Sequence, residues 1–299
     1  MSDAIHRQAA ARAKWLVAGP PLLYLIVFFA VPTLLMVVAS FRVAGEFGGL
    51  APLRSESGGW NLSLESYARF FSSTLYLQLF AKSFLYALLT TAICLALAYP
   101  LAWLIARSPK RYRDLLLLLV ILPFWSNFLI RVYAWMIILG PEWALARALN
   151  GLLGAFGFAP VTLMFSPFAV IVVLVYVHLP FMVLPLYANL EKHDPTLLDA
   201  ARDLGAHAWQ RFRHVTWPLS LPGVFAGSAL VFIPAFGIFA VPDLVGGTDG
   251  IMIGNVIKQQ FLEARDWPFG SVLSIVLTVS ALALTGLAAL AARPRRSAA

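Results

Sequence analysis

The chain has a single cysteine in 299 residues, Cys94, and it lies in an apolar run. No disulfide within the chain and no cysteine metal cluster can form. Charge is scarce as well. Asp, Glu, Lys and Arg make up 12% of residues, about half the share of an ordinary soluble domain. Hydrophobic residues make up 61%, a balance that works only if much of the surface faces lipid. Catalytic signatures are missing too. There is no GxxxxGK[ST] phosphate loop, no GxSxG elbow and no HExxH pair, so any ATP that drives this chain is bound elsewhere. His193, His207 and His214 are spaced by fourteen and seven residues, which does not suit zinc. No catalytic residue, no metal site and no enzyme activity are expected. The net charge of +8 does not point to nucleic acid, because the basic residues are not gathered on one soluble domain.

What the chain has in abundance is long apolar runs. Six lie at about 16–39, 83–106, 115–139, 167–187, 223–243 and 271–291, each near the ~20 residues needed to cross ~30 Å of hydrocarbon. They predict an all-α polytopic membrane protein: a six-helix domain over 16–291 between tails at 1–15 and 292–299. Pro123, Pro180 and Pro234 fall inside three of the runs. Proline is tolerated in a membrane helix where neighbours satisfy the freed carbonyls, so these are kinks, either for packing or around a path. The first run follows Arg7, Arg12 and Lys14 and is about 24 residues long. That exceeds the ~7–15 apolar residues of a signal peptide and predicts an uncleaved anchor.

Basic residues in short loops tend to stay in the cytoplasm. Fourteen of the 22 lie on the side of the N-terminus and six in the opposite loops, with Lys82 and Arg131 at or within spans. Both termini are therefore expected in the cytoplasm. The outer loops would be 40–82, 140–166 and 244–270. The first is rich in glycine and ends in an apolar-periodic segment, Leu64 to Phe80, expected as an interfacial helix.

The loop at 188–222 is the most polar stretch between two spans. Asp194 precedes Pro195, which reads as an N-cap followed by proline at the first helical position. Leu197, Ala201, Leu204, Ala208 and Phe212 recur at helical spacing and predict one apolar face. Gly205 interrupts it, either as a sharp turn between two short helices or as a point of close backbone approach. Pro218 and Pro222 are expected to end the segment.

Within that loop, Asp199-Ala200-Ala201, three residues, Gly205, nine residues and Val215-x-Trp217-Pro218 resemble the EAA loop of ABC importer permeases. The family pattern is Glu-Ala-Ala, Gly and Ile-x-Leu-Pro at the same spacing. Asp199 stands for Glu and Trp217 for Leu, so charge and apolarity are kept. Further segments are similar to the polyamine (spermidine/putrescine) branch of that family, and to the first of its two permease subunits: Leu122–Trp135, Leu179–Ala206, Val231–Gly247 and Ile253–Gly270. The resemblance spans roughly residues 60–285 and implies the ABC type I importer permease fold in a bacterial inner membrane. It also implies a second permease subunit, two cytoplasmic ATPase subunits that bind ATP and Mg, and an extracytoplasmic polyamine-binding protein. The coupling loop would use Asp199, Ala200, Ala201, Gly205, Phe212 and Pro218. A permease for another cationic or amino-acid-derived solute shares much of this pattern, and a secondary transporter is the rival of another class.

A polycation needs carboxylates or carbonyls for its ammonium groups and apolar or aromatic walls for its methylenes. Trp125, Tyr133 and Asp243 are the candidates for a substrate path. Arg131, inside the third run, is costly there unless it pairs or lines water. It is expected as a gate or structural ion pair, with Asp243 or a carboxylate of the partner permease. His178 is expected as a hydrogen-bonded packing residue rather than part of a proton relay.

Overall fold

A computed structural model describes residues 17–54 and 59–291. The expected tails, with Arg7, Arg12, Lys14, Arg293, Arg295 and Arg296, lie outside the described residues. The elements in chain order are α1 (Val17–Ser40, with a π turn at Ile26–Ala30), α2 (Glu65–Ser72), α3 (Thr74–Arg107), α4 (Lys110–Ile121), α5 (Phe128–Leu139), α6 (Ala144–Ala155), α7 (Pro167–Leu190), α8 (Pro195–Asp203), α9 (Ala208–Arg211), α10 (Trp217–Gly237), α11 (Ala240–Val245), α12 (Ile253–Leu262) and α13 (Trp267–Ala291). Among the described residues there is no strand, only three isolated antiparallel bridges, Arg42 to Leu62, Ala44 to Leu50 and Arg54 to Trp60. Among the described residues, six helical stretches are long and apolar enough to cross a membrane: Val17–Ser40, Thr74–Arg107, Phe128–Ala155, Pro167–Leu190, Ala208–Gly237 and Trp267–Leu287. The all-α, six-span architecture is the one expected.

The chain divides into two compact units, Met1–Ser73 with Ile257–Val276, and Thr74–Val256 with Leu277–Ala299. In the first, Gly48 and Gly49 have φ of 90° and 77°, which turns the chain tightly enough for the Gly49 N–H to reach the Arg265 carbonyl at 2.7 Å. Arg69 pairs with Asp266 at 2.9 Å and lies over the Phe269 ring.

In the second unit, α3, α7 and α10 pack on one another as the core bundle. α7 starts cleanly because the Ser166 hydroxyl accepts from the Ala169 N–H and Pro167 occupies the first turn. Its apolar residues run around the whole helix, and Val173, Leu174, Met182, Val183 and Leu186 are fully buried. A helix apolar on every side is a buried one. The crossing of α7 and α10 is close because Gly223 and Gly227 are four residues apart on one face. A Cβ on Gly223 would come within 2.7 Å of Asn189 Cβ, and one on Gly227 within 2.7 Å of Met182 Sδ. This small-xxx-small spacing lets membrane helices approach without the help of water exclusion.

Four expectations change. The third run, 115–139, is not one helix: α4 gives way to a 3₁₀ turn at Leu122–Trp125, and α5 starts only at Phe128. Pro123 cannot donate to an α ladder, and the Asn127 side chain caps the new helix by accepting from Leu129 N–H at 2.8 Å. The fifth span ends at Gly237, with α11 beginning after a two-residue break. The segment Leu64–Phe80 splits, since only Glu65–Ser72 is a separate helix and residues from Thr74 onward are the first turns of α3. Pro218 and Pro222 do not end the loop; both lie in the first turns of α10. The π turn at Phe212–Thr216, with Trp217 N–H bonded to Phe212 O, carries the helix across the place where Pro218 supplies no donor.

Candidate functional site: the loop between the fourth and fifth spans

The loop is built from backbone caps. After α7, Asp194 accepts from Thr196 N–H at 2.9 Å and Pro195 takes the first helical position. That N–H holds the Asp194 carboxyl below the usual carboxylate range. Glu191 is held low as well, first by a hydrogen bond from Tyr187 and then by the pairing with Arg113 that ties the loop to α4. α8 closes at Gly205, whose φ is 80°. Gly205 N–H donates to Arg202 O at 2.9 Å and Ala206 N–H to Ala201 O at 3.0 Å. These two bonds are a Schellman closure, which needs a left-handed residue at this position. A Cβ at Gly205 would meet nothing within 4 Å. The glycine is there for the turn, and not for close approach by another part of this chain. The next helix opens with His207 N–H bonded to the Gln210 side chain at 3.1 Å.

Because the turn at Gly205 separates α8 from α9, the expected single apolar face is two faces. No residue of α8 or α9 is buried. Leu204 is 88% exposed and Trp209 63%, large apolar side chains set among exposed Asp199, Arg202, Asp203 and Arg213. Asp199 and Ala200 are exposed and Ala201 is partly covered. The loop surface is therefore a mixed apolar and charged patch that this chain leaves open.

Its root, by contrast, is fastened. Trp209 stacks on Phe212 at 5.4 Å, and Phe212 meets Tyr99 of α3 edge-on at 5.6 Å. Trp217 lies 5.5 Å from Tyr99 and 6.2 Å from Phe212. Ser220 Oγ donates to Trp217 O at 2.8 Å, so in its 3.0 Å contact with Tyr99 it accepts the phenol proton. Trp217, the departure from the family's usual leucine, thus belongs to the anchor that joins the loop to α3 and α10. Pro218 sits beside it, exposed, in the first turn of α10. Sequence reasoning missed Tyr99, which carries no local signal.

The candidate path residues lie elsewhere. Trp125 is in the 3₁₀ turn and Tyr133 on α5, with 76% and 50% of their surfaces open. Arg131 does not pair with Asp243. Among the described residues it has no carboxylate within ion-pair distance. Its guanidinium lies instead 5.2 Å from the Phe124 ring centre and 6.0 Å from that of Phe128. A side chain on α5 leans toward its N-terminal turn, which carries the guanidinium to the aromatic break. Asp243, on α11, accepts from the Asn255 amide. Asn255 is 2% exposed and was also missed. It donates to Phe239 O at 3.0 Å and accepts from Met252 N–H at 2.9 Å, joining the break after α10 to the turn that precedes α12. Nearby, Ile253 N–H donates to Ser83 Oγ at 2.7 Å and Lys82 to Asp249 O, fixing the same segment to α3. His178 is buried, and its Nδ1 donates to Leu174 O at 2.8 Å.

Comparison with known proteins gives the chain its family. Residues 79–296 match the family model described as the binding-protein-dependent transport system inner membrane component. The chain is 44% identical over 256 residues to the spermidine/putrescine transport system permease protein PotB of Salmonella typhimurium (strain SL1344), covering 86% of this chain and 85% of that one. It is equally similar to PotB of Escherichia coli (strain K12), covering 89% of that protein. A solved bacterial alginate ABC transporter, in complex with an alginate pentasaccharide-bound periplasmic protein, matches with a TM-score of 0.71 at 17% identity, covering 94% of each chain. At that identity the likeness speaks for the fold alone. With six apolar helices, the loop motif and a family match over most of its length, the chain belongs to the inner-membrane permeases of binding-protein-dependent ABC importers.

Proposed function

We propose that this chain is one of two permease subunits of an ATP-driven importer for polyamines, and that it transmits the ATPase stroke through the loop around Gly205. The substrate class is supported by the 44% identity to spermidine/putrescine permeases over most of both chains. The coupling role is supported by one observation above all: a loop rigidly closed by its own caps, rooted in an aromatic anchor, with Leu204 and Trp209 left open. In this reading both termini and the loop face the cytoplasm, and two ATPase subunits bind ATP and Mg there. A second permease completes the path, and an extracytoplasmic binding protein delivers the substrate. Closure of the ATPase dimer pushes α8; the push passes through Trp209, Phe212 and Trp217 to α3 and α10, and the spans change which side they open to.

The test is ATP hydrolysis and uptake by the complex reconstituted with its ATPase, partner permease and binding protein. Hydrolysis should rise with loaded binding protein and polyamine together, and uptake should follow. Stimulation by a different solute would keep the machine and discard polyamines. Failure to assemble with any ATPase would return the secondary-transporter reading to the front.

A further inference from the structure

The break between α4 and α5 leaves an arginine in an unusual setting. Arg131 is partly buried inside an apolar segment, its Nε is buried with no hydrogen-bond partner, and no carboxylate lies within reach among the described residues. What holds its charge is the faces of two rings, Phe124 in the broken turn and Phe128 at the start of α5. Neither ring is fully buried. Phe124 is kept in place by an edge-on contact with Phe181 at 5.0 Å, and Phe128 packs on the core beneath it. Beside them Trp125 is largely open. The feature is thus a pair of braced aromatic faces that attract a cation and currently hold one belonging to the chain.

We propose that Phe124 and Phe128 form a cation seat in the substrate path, occupied in this state by Arg131, and that an ammonium group of the substrate takes the seat when Arg131 swings out. The inference rests on the reading of a polycationic substrate. Two like charges cannot share one pair of ring faces at close range in a medium less polar than water, so occupancy is exclusive. Arg131 is suited to leave, because its Nε gains no acceptor by staying and would recover one in water. The alkyl part of a flexible polyamine would lie along Trp125 and the apolar wall of α5. Arg131 then acts as a stand-in that keeps the seat shut to other cations until delivery of the substrate is coupled to a change in the spans.

Graded fluorination of Phe124 tests this, because successive ring fluorines weaken cation attraction while barely changing shape. The series is placed in the reconstituted complex in two backgrounds, native and Arg131→Gln, with co-purification of all subunits and thermal stability as controls. In Arg131→Gln, polyamine moved per ATP hydrolysed should fall steadily from Phe to trifluoro-Phe, by about 2-fold to 30-fold in total. With Arg131 present the fall should be shallower, since fluorination loosens both competitors. A flat series in Arg131→Gln overturns the seat, and equal slopes in both backgrounds overturn its occupation by Arg131. The series is run with whatever solute the complex moves. Polyamine uptake with a flat series rejects the seat alone. A falling series with a cation that is not a polyamine upholds the seat and rejects the polyamine reading. A neutral or anionic solute rejects both.

Discussion

Two helix breaks in this chain are closed in opposite ways. At Gly205 the chain closes the break with its own backbone: a Schellman turn, an Asp194 cap on one side and a His207–Gln210 bond on the other. Nothing from a distant element enters it, and its surface stays open. At Gly237–Phe239 the break is closed from afar, by the buried amide of Asn255 and by Gly254, where a Cβ would come within 2.5 Å of Gly237 O. A break closed locally can move as a unit and present a face to a partner. A break closed by a buried long-range network is locked to its surroundings. The permease thus has a self-closed end, which the proposed coupling role would use as its transmitting end, and a holding end.

Removing the holding end should do the most damage. Asn255→Leu leaves the Met252 N–H without its acceptor and takes one hydrogen bond each from the Phe239 carbonyl, which keeps the Asp243 N–H, and from the Asp243 carboxyl. With ~1–3 kcal/mol for the unsatisfied N–H and ~0.5–3 kcal/mol for each lost hydrogen bond, a loss of about 3–5 kcal/mol is expected, read as a large fall in the melting temperature of the purified protein. Gly254→Ala should cost somewhat less, about 1–3 kcal/mol, because the added methyl overpacks the broken carbonyls. At the transmitting end the effects on stability are smaller and those on function larger. Gly205→Val puts a β-branched residue at φ 80° with open space around it, costing ~1–2 kcal/mol. Membrane insertion and assembly of the permease pair should survive, while binding-protein-stimulated ATP hydrolysis is lost; unaltered coupling would contradict the contrast drawn here. Asp194→Ala removes the cap and should be seen as faster amide exchange confined to α8.

The mildest probe is pH. Asp194 and Glu191 both have carboxyl groups held below their ordinary range in the folded loop. Each therefore contributes stability above its unfolded pKa, near 4, and that contribution fades as pH falls through the lower folded value. Emission from Trp209 should change reversibly below about pH 4. The segment held by Asn255 uses mostly backbone and amide partners, so its amide exchange should shift less over the same range.

Much of this was legible before the structure. Long apolar runs with few charges specify membrane helices because water is absent from the bilayer, and every backbone group must then be paired within its own segment. Asp194-Pro195 and Gly205 are local signals that act through neighbouring backbone, so the two-helix loop could be read from them. The close-packing face of Gly223 and Gly227 went unread, although their spacing is a local signal. Other features were hidden for a physical reason. Asn255 finds its partners at Phe239 and Asp243 across a break, and Tyr99 meets Phe212 and Trp217 from over a hundred residues away. No periodicity records such pairings. Side-chain direction on α5 takes Arg131 to the aromatic turn rather than to Asp243; the other expected partner, a carboxylate of the second permease, lies outside this chain.

Hydropathy and a few neighbouring residues were enough to set the medium, the number of spans and the place of the Asp199–Pro218 motif. Where the spans break, which buried amide closes the second break and which rings hold Arg131 emerged only from the packed molecule, because those outcomes depend on which distant side chains reach the same point in space.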